Sequence, residues 1–323
     1  MVPSAILSVF DVEMAMAHVP VLTEEMLGVL RPEPDSVVVD CTFGAGGHAA
    51  AVGALLGEDG ELVACDRDPI ARTYFEALRG GWKCSSRFYP GDFADTLHQL
   101  NRTGFRATHV YMDLGVSSMQ VDTIDRGFSY SYDAPLDMRM DPTLTLTAAD
   151  ILNDWPEDGL VRVFREYGEE RYARPIARAV VRRRQRTPYT RTNELVDTIK
   201  EAIPTPARFG SRNPARRVFQ ALRIAVNDEL ESLRRALPEA LELLAPGGVL
   251  AVISFHSLED RIVKDFFAAG VHPCTCPPDF PVCVCLRRPT LELITTKALT
   301  PGPRELEANP RSSSAKLRAA RKR

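Results

Sequence analysis

The sequence predicts an α/β protein: a doubly wound parallel sheet with an inserted helical domain. Three observations carry this. Short β-branched or apolar runs ending in an acid alternate with helical stretches, a glycine-rich turn follows the first of them, and the alternation stops after Asp113 and resumes near Val226.

Ser36 to Cys41 reads as the first strand, leading into a turn at Gly44, Gly46 and Gly47 and then an alanine-rich helix. Glu61 to Asp66 repeats the pattern, and a helix is predicted from Pro69 to Leu78, where proline suits the first turn. Arg87 to Tyr89 and Thr108 to Asp113 form the third and fourth strands, with a helix between them. The stretch after Asp113 has helical periodicity and turn clusters but no buried strand, so it reads as an insertion. An amphipathic stretch from Val226 to Leu244, a turn at Pro246-Gly247-Gly248, a strand from Val249 to Phe255 and a helix from Leu258 to Phe267 resume the sheet.

At 323 residues, 45% hydrophobic and 26% charged, the chain can bury one large core or two modest ones. The apolar first ten residues have no preceding Lys or Arg and are followed by Asp11 and Glu13, which fits a secretory signal poorly. No run approaches the ~20 apolar residues of a membrane span. Seven cysteines suit a reducing compartment, and the cytoplasm is expected. The net charge of -3 conceals segregation: eight arginines and no acid lie between Arg171 and Arg191, and the tail from Arg311 to Arg323 is also basic. Both regions are candidates for meeting phosphate.

The turn Asp40 to His48 lies where open α/β sheets bind ligands, and glycine there admits close backbone approach and positive φ. Asp66, closing the next strand, is placed to accept hydrogen bonds from ribose hydroxyls, so the pair predicts an adenosine-binding crevice. A nicotinamide-binding turn is disfavoured because Gly44-Ala45-Gly46-Gly47-His48-Ala49 lacks the third glycine of G-x-G-x-x-G. Asp92 and Asp113 end the following strands and are expected to point into the crevice, with Phe93 packed on the adenine; the same spacing equally suits a core phenylalanine opening a helix.

From about His18 to the C-terminus the residues resemble the RsmH (MraW) family of bacterial 16S ribosomal RNA cytidine methyltransferases. The motifs are His18-Val19-Pro20-Val21-Leu22, Thr42 to His48, Asp113-Leu114-Gly115-Val116-Ser117-Ser118 with Gln120, Arg126-Gly127-Phe128-Ser129 and Pro135 to Met140. Pro214-Ala215-Arg216-Arg217, Phe219 to Arg223, Ser254 to Asp260, Asn309-Pro310-Arg311 and Ala315 to Arg318 continue them. The resemblance implies a Rossmann-like class I methyltransferase sheet over residues 18–121 and 215–323, with residues 122–214 as an RNA-recognition insert and 1–17 as an N-terminal extension. It implies S-adenosylmethionine as cofactor, held by Gly46, Gly47, His48, Asp66, Phe93, Asp113 and Gln120. It further implies methylation of a cytidine 4-amino group in the decoding region of the small subunit, with the enzyme acting as a monomer or homodimer.

An exocyclic amine has its lone pair delocalised into the ring, so an acceptor for its protons is needed, and Asp113 or the Leu114 carbonyl is the candidate. His256, at the end of the resumed strand, is a candidate proton carrier or base contact, or else a hydrogen-bonded scaffold histidine. A ring-methylating route would need a cysteine nucleophile, and Cys41 and Cys65 sit inside strands. Arg171, Arg174 and Arg178 share a helical face and, with Arg182 and Arg183, are expected to bind RNA phosphate. A DNA amine methyltransferase and a cofactor-holding RNA-binding assembly factor are the competing functions. Cys274, Cys276, Cys283 and Cys285 form paired C-x-C steps, tighter than a C-x-x-C zinc knuckle, so a reduced structural loop without metal is expected.

Overall fold

In the computed structural model, residues 20–205, 214–276 and 285–323 are described. They divide into two compact units, Met1–Gly115 with Glu231–Arg323, and Val116–Leu230.

The first unit is built on strands β1 (Val37–Asp40), β2 (Glu61–Asp66), β3 (Ser85–Pro90), β4 (Ala107–Asp113), β5 (Leu244–Ser254), β6 (Leu291–Leu293) and β7 (Lys316–Lys322). They form one sheet in the order β3-β2-β1-β4-β5-β7-β6. The first five are parallel, whereas β7 runs antiparallel to both β5 and β6. The order reverses beside β1, so the carboxyl ends of β1 and β4 flank a switch point. Most residues of β1, β2 and β4 are buried, in consecutive runs that require both sheet faces to be covered.

One face packs Val39, Val63, Val110, Met112, Leu250 and Val252 against the helices α4 (Phe93–Arg102), α11 (Glu229–Leu243) and α12 (Ser257–Val271). The helices α1 (Thr23–Leu30), α2 (Gly47–Gly53) and α3 (Pro69–Leu78) complete the unit, with α13 (Pro303–Ala308) near its end. The α3 bounds are those expected from Pro69; the Asp68 carboxylate caps it by accepting the Ile70 N–H, and proline stands where no donor is needed. Pro246-Gly247-Gly248 lies inside β5 rather than before it. Ala107 pairs with Leu244 but His109 with Val249, so the extra β5 residues form a bulge in which Gly247 adopts φ +84°.

The second unit is helical: α5 (Ser118–Asp122), α6 (Ala148–Asp154), α7 (Glu157–Glu166), α8 (Ala173–Arg184), α9 (Thr192–Ala202) and α10 (Pro214–Asn227). Leu152, Leu160, Phe164, Ile176, Val180, Leu195, Ile199, Val218 and Leu222 form its core. The domain bounds implied by the family resemblance put α10 with the sheet; its apolar face packs into this core. Two motifs tie the irregular chain before α6. Arg126 donates to the carbonyls of Arg139 and Met140, and a Cβ on Gly127 would lie 2.1 Å from Pro135 O.

The basic tail is corrected by the fold: Lys316 to Lys322 is an interior strand. Lys316 and Arg318 bind Asp260 at 2.9 and 2.7 Å, and Lys322 donates to the carbonyls of Glu242 and Leu244. Burial pushes the Asp260 carboxyl up, and the hydrogen bonds from Arg318 and Lys316 more than reverse this, holding it below the usual carboxylate range. Asp260→Ala should therefore cost about 2 kcal/mol, since Arg318 keeps a desolvated guanidinium without its carboxylate. Chemical denaturation reads this directly, and a wild-type midpoint would mean that these cations are solvated.

Candidate active site

The first strand ends in an acid because the turn after it has backbone donors to satisfy. Asp40 Oδ1 accepts the Thr42 N–H at 2.9 Å, and Asp40 Oδ2 accepts the Tyr111 hydroxyl at 2.7 Å. Asp66 Oδ2 accepts the Gly44 N–H at 2.7 Å, and its Oδ1 accepts the Asp68 N–H at 2.8 Å. On the β4 side, the Asp113 N–H donates to Thr42 Oγ1 at 2.6 Å. The turn is thus tied to all three strands around the switch point. Sequence pattern alone gives Asp40, Thr42 and Tyr111 no role; the one signal it holds for them is an acid ending a Val-Val-Val run.

The glycines have a second reason to be glycine. A Cβ on Gly47 would lie 2.4 Å from Pro20 Cγ, and one on Gly46, at φ +81°, would lie 2.4 Å from Leu78 Cδ1 and 2.7 Å from Phe43 Cζ. The motif proline Pro20 and the turn are packed together, so neither residue can be enlarged without displacing the loop.

His48, buried at the start of α2, brings its Nε2 to 3.3 Å from Asp113 Oδ2 and stands edge-on to Tyr111. The approach is not aligned as a hydrogen bond. Both His48 ring nitrogens and Asp113 Oδ1 are buried without a hydrogen-bond partner among the described residues. Orphaned polar atoms at a strand-end crevice favour a polar ligand there. The Asp66 oxygens, each with one backbone donor, retain a lone pair for ribose hydroxyls. A nucleoside-bearing cofactor therefore fits the residues present. Phe93 is half-buried against the sheet core with the Arg67 guanidinium 5.8 Å from its ring centroid.

Asp92 departs from expectation. Its carboxylate caps α4 through the Ala94 N–H, accepts the Ser232 hydroxyl at 2.7 Å and pairs with Arg67, so it is committed to architecture rather than to the crevice. Gln120 lies in the helical unit, where its Oε1 accepts the Ser117 N–H in a capping box. His256 caps α12: its Nδ1 accepts the Glu259 N–H at 3.4 Å, while Glu259 Oε2 accepts the Phe255 N–H at 2.8 Å. This cap is the hydrogen bonding of a scaffold histidine, while His256 Nε2, 3.1 Å from Glu259 Oε1, is buried without a hydrogen-bond partner among the described residues.

Burial lifts Asp40 to about 7, against the lowering effect of Tyr111 and Thr42, and lifts Asp66 to about 6, against its two backbone donors. Cys65 is pushed well above the usual thiol range by its contact with Cys41 and by burial, and both residues are buried, which leaves no exposed thiolate here for ring attack. A groove of about 560 Å3 lined by Ser36, Thr108 and Arg321 lies at the amino ends of β1 and β4, away from these carboxylates.

Arg171, Arg174, Arg178 and Arg182 are exposed on or just before α8. Arg183 differs: it pairs with Glu194 at 3.1 Å and covers the buried Tyr189 ring at 4.5 Å. Acids absent from the local sequence reach this helix from α7 and α9, since Arg178 also meets Glu157 at 3.4 Å. The sulfurs of Cys274, Cys276 and Cys285 lie within 4.8 Å of one another. Cys283 and residues 1–17 fall outside the described residues, as do His18 and Val19.

The sequence pattern of the MraW methylase family matches residues 15–323. Ribosomal RNA small subunit methyltransferase H of Heliobacterium modesticaldum is 50% identical over 312 residues, 96% of this chain and 99% of that protein. The protein of the same name from Symbiobacterium thermophilum is 50% identical over 316 residues, covering 95% and 96% of the two chains. That from Carboxydothermus hydrogenoformans is 49% identical over 312 residues, covering 96% and 99%.

A carboxyl at about 7 in the fold and about 4 in the unfolded chain holds more protons folded than unfolded across that window. Its stabilising contribution is complete below pH ~4 and is lost as pH rises through ~7, an effect on the order of 4 kcal/mol. Asp66 adds a similar loss that ends near 6. Asp40→Asn should flatten the fall in unfolding free energy between pH 4 and 7, and an unchanged slope there would assign the burial cost elsewhere.

Proposed function

The chain belongs to the MraW methylase family and is a methyltransferase, and we propose that it methylates the exocyclic 4-amino group of a cytidine in the decoding region of 16S ribosomal RNA, using S-adenosylmethionine. Support for the substrate comes from near full-length relatives named ribosomal RNA small subunit methyltransferase H. The observation that carries the chemistry is Asp113, whose Oδ1 is buried at the end of β4 without a hydrogen-bond partner among the described residues.

When bound, S-adenosylmethionine supplies an activated sulfonium methyl. The protein's tasks are then to align the acceptor nitrogen and exclude water. Gly46, Gly47, His48, Asp66 and Phe93 would hold the donor, and Gln120 is the further residue that the family resemblance assigns to it. Asp66 takes the ribose hydroxyls, and Phe93 offers an apolar surface to the base. Asp113 Oδ1, or the Leu114 carbonyl, accepts a hydrogen bond from the cytosine amine N–H, which localises the nitrogen lone pair toward the methyl group. His256 keeps the β5 end and α12 in place through its Nδ1 cap, while its Nε2 is the candidate to contact the base or pass on the proton. The cytosine leaves its stacking neighbours to reach the site. Arg171, Arg174, Arg178 and Arg182 supply phosphate contacts, and the reaction takes place in the cytoplasm on the small subunit.

Transfer of labelled methyl from S-adenosylmethionine to small subunits taken from cells lacking the enzyme, with the nucleotide mapped, tests the reading; DNA labelling, or donor binding without transfer, overturns it. In the same assay Asp113→Ala should lower turnover at saturating donor about 10²-fold. Normal turnover there removes Asp113 from the chemistry. For the RNA face, Arg174→Glu with Arg178→Glu should weaken RNA binding across sequences and reduce the log-affinity against log-salt slope by about 0.7 for each phosphate no longer neutralised. An unaltered slope would exclude this helix from phosphate docking.

A further inference from the structure

Between α12 and β6 the chain makes a long excursion whose ends are clamped. The Thr290 N–H donates to Gly270 O at 2.9 Å, and Leu291 packs so closely that a Cβ on Gly270 would lie 2.6 Å from Leu291 Cδ1. None of the loop's described residues, 272–276 and 285–290, is buried, and Leu286 is 86% exposed. Ordering backbone has an entropic cost, and among the described residues of the loop no apolar burial offsets it.

Against this background, three sulfurs converge. The Sγ atoms of Cys274, Cys276 and Cys285 all lie within 4.8 Å of one another. Around a tetrahedral zinc ion, with Zn–S of about 2.3 Å, sulfurs stand about 3.8 Å apart. An adjustment of about 1 Å would bring all three onto one ion. We infer that Cys274, Cys276 and Cys285 bind a single zinc ion as thiolates and that this ion fixes the course of the loop.

The donor set selects the metal. Three soft thiolates suit zinc, whereas calcium and magnesium require oxygen ligands, and residues 272–276 and 285–290 include no Asp or Glu. Arg287 and Arg288 follow Cys285 closely and offset the negative charge of the thiolates. Binding releases three thiol protons to solvent and needs no redox partner. A disulfide would use only two of the three sulfurs. The narrow C-x-C spacing argues for a metal-free loop, and the grouping of sulfurs argues the other way. A fourth donor completes the tetrahedron from water or from another side chain.

The test uses the full chain, purified reduced and without chelator. Elemental analysis should find about one zinc per chain. The variant Cys274→Ser with Cys276→Ser and Cys285→Ser should hold none while keeping the wild-type circular dichroism. Cobalt added to reduced, metal-stripped wild type should give a thiolate-to-metal charge-transfer band and visible bands of tetrahedral cobalt, and the triple variant should give neither. Stripping the metal should also speed tryptic cleavage after Arg287 about tenfold, because the loop then opens locally. The proposal is overturned if reduced wild type binds neither zinc nor cobalt, if the triple variant retains the metal, or if mass analysis of reductant-free protein finds two of these cysteines disulfide-bonded. None of these readouts depends on methyl transfer.

Discussion

The site rests on the capture of one turn by the carboxylates that close its neighbouring strands. Residues 42–46 carry backbone N–H groups in a place where water is scarce, and Asp40 and Asp66 accept two of them. Removing these acceptors would strand donors in a buried setting, at a cost of about 1–3 kcal/mol each. Burying the carboxylates also has a cost, seen in their raised proton affinities. The balance is acceptable because each carboxylate oxygen binds a donor fixed by the sheet or turn, so the hydrogen bonds form without further ordering of the chain.

The acids at the strand ends divide their work. Asp40 and Asp66 shape the turn, and Asp92 ties α4 to α11 through Ser232 and to Arg67. Asp113 has its backbone N–H engaged by Thr42, yet one carboxylate oxygen remains unmatched. Similar position in similar strands thus gives three structural groups and one chemical candidate. Hydrogen-bond partners separate them where residue type cannot, because a buried acceptor is either matched internally or awaits a ligand.

Much of this was legible in the sequence for a local reason. Parallel interior strands must be apolar on both faces, so Val37 to Val39 and Leu62 to Cys65 stand out as uninterrupted runs. The helix at Pro69 announces its own start. β7 was illegible because its identity depends on a partner far along the chain: Lys316 and Arg318 read as part of a phosphate-meeting tail until Asp260 neutralises them. Its interior positions are Leu317, Ala319 and Ala320, too few and too small to mark a strand among so many cations. The fate of Asp92 was hidden in the same way, since Ser232 and Arg235 come from the far side of the insertion. The sulfur cluster was likewise invisible to spacing rules, because a loop's return path is not encoded by local pattern.

The same competition for partners bounds the electrostatic surface of the helical unit. A guanidinium that already donates to internal carbonyls or carboxylates gains little from a phosphate, because it would have to break those bonds first. Arg184 donates to the carbonyls of Leu152 and Trp155, Arg183 serves Glu194 and Tyr189, and Arg191 serves Asp133. Arg126 and Arg139 hold the irregular chain before α6, and Arg223 binds Glu229 through two nitrogens at 2.8 Å. What remains near α8 is Arg171, Arg174, Arg178, Arg182 and Arg186, with Arg178 only loosely met by a half-buried Glu157. A dense run of arginine in sequence therefore overstates the charge available to RNA, and the exposed subset sets the number of phosphates that α8 can neutralise.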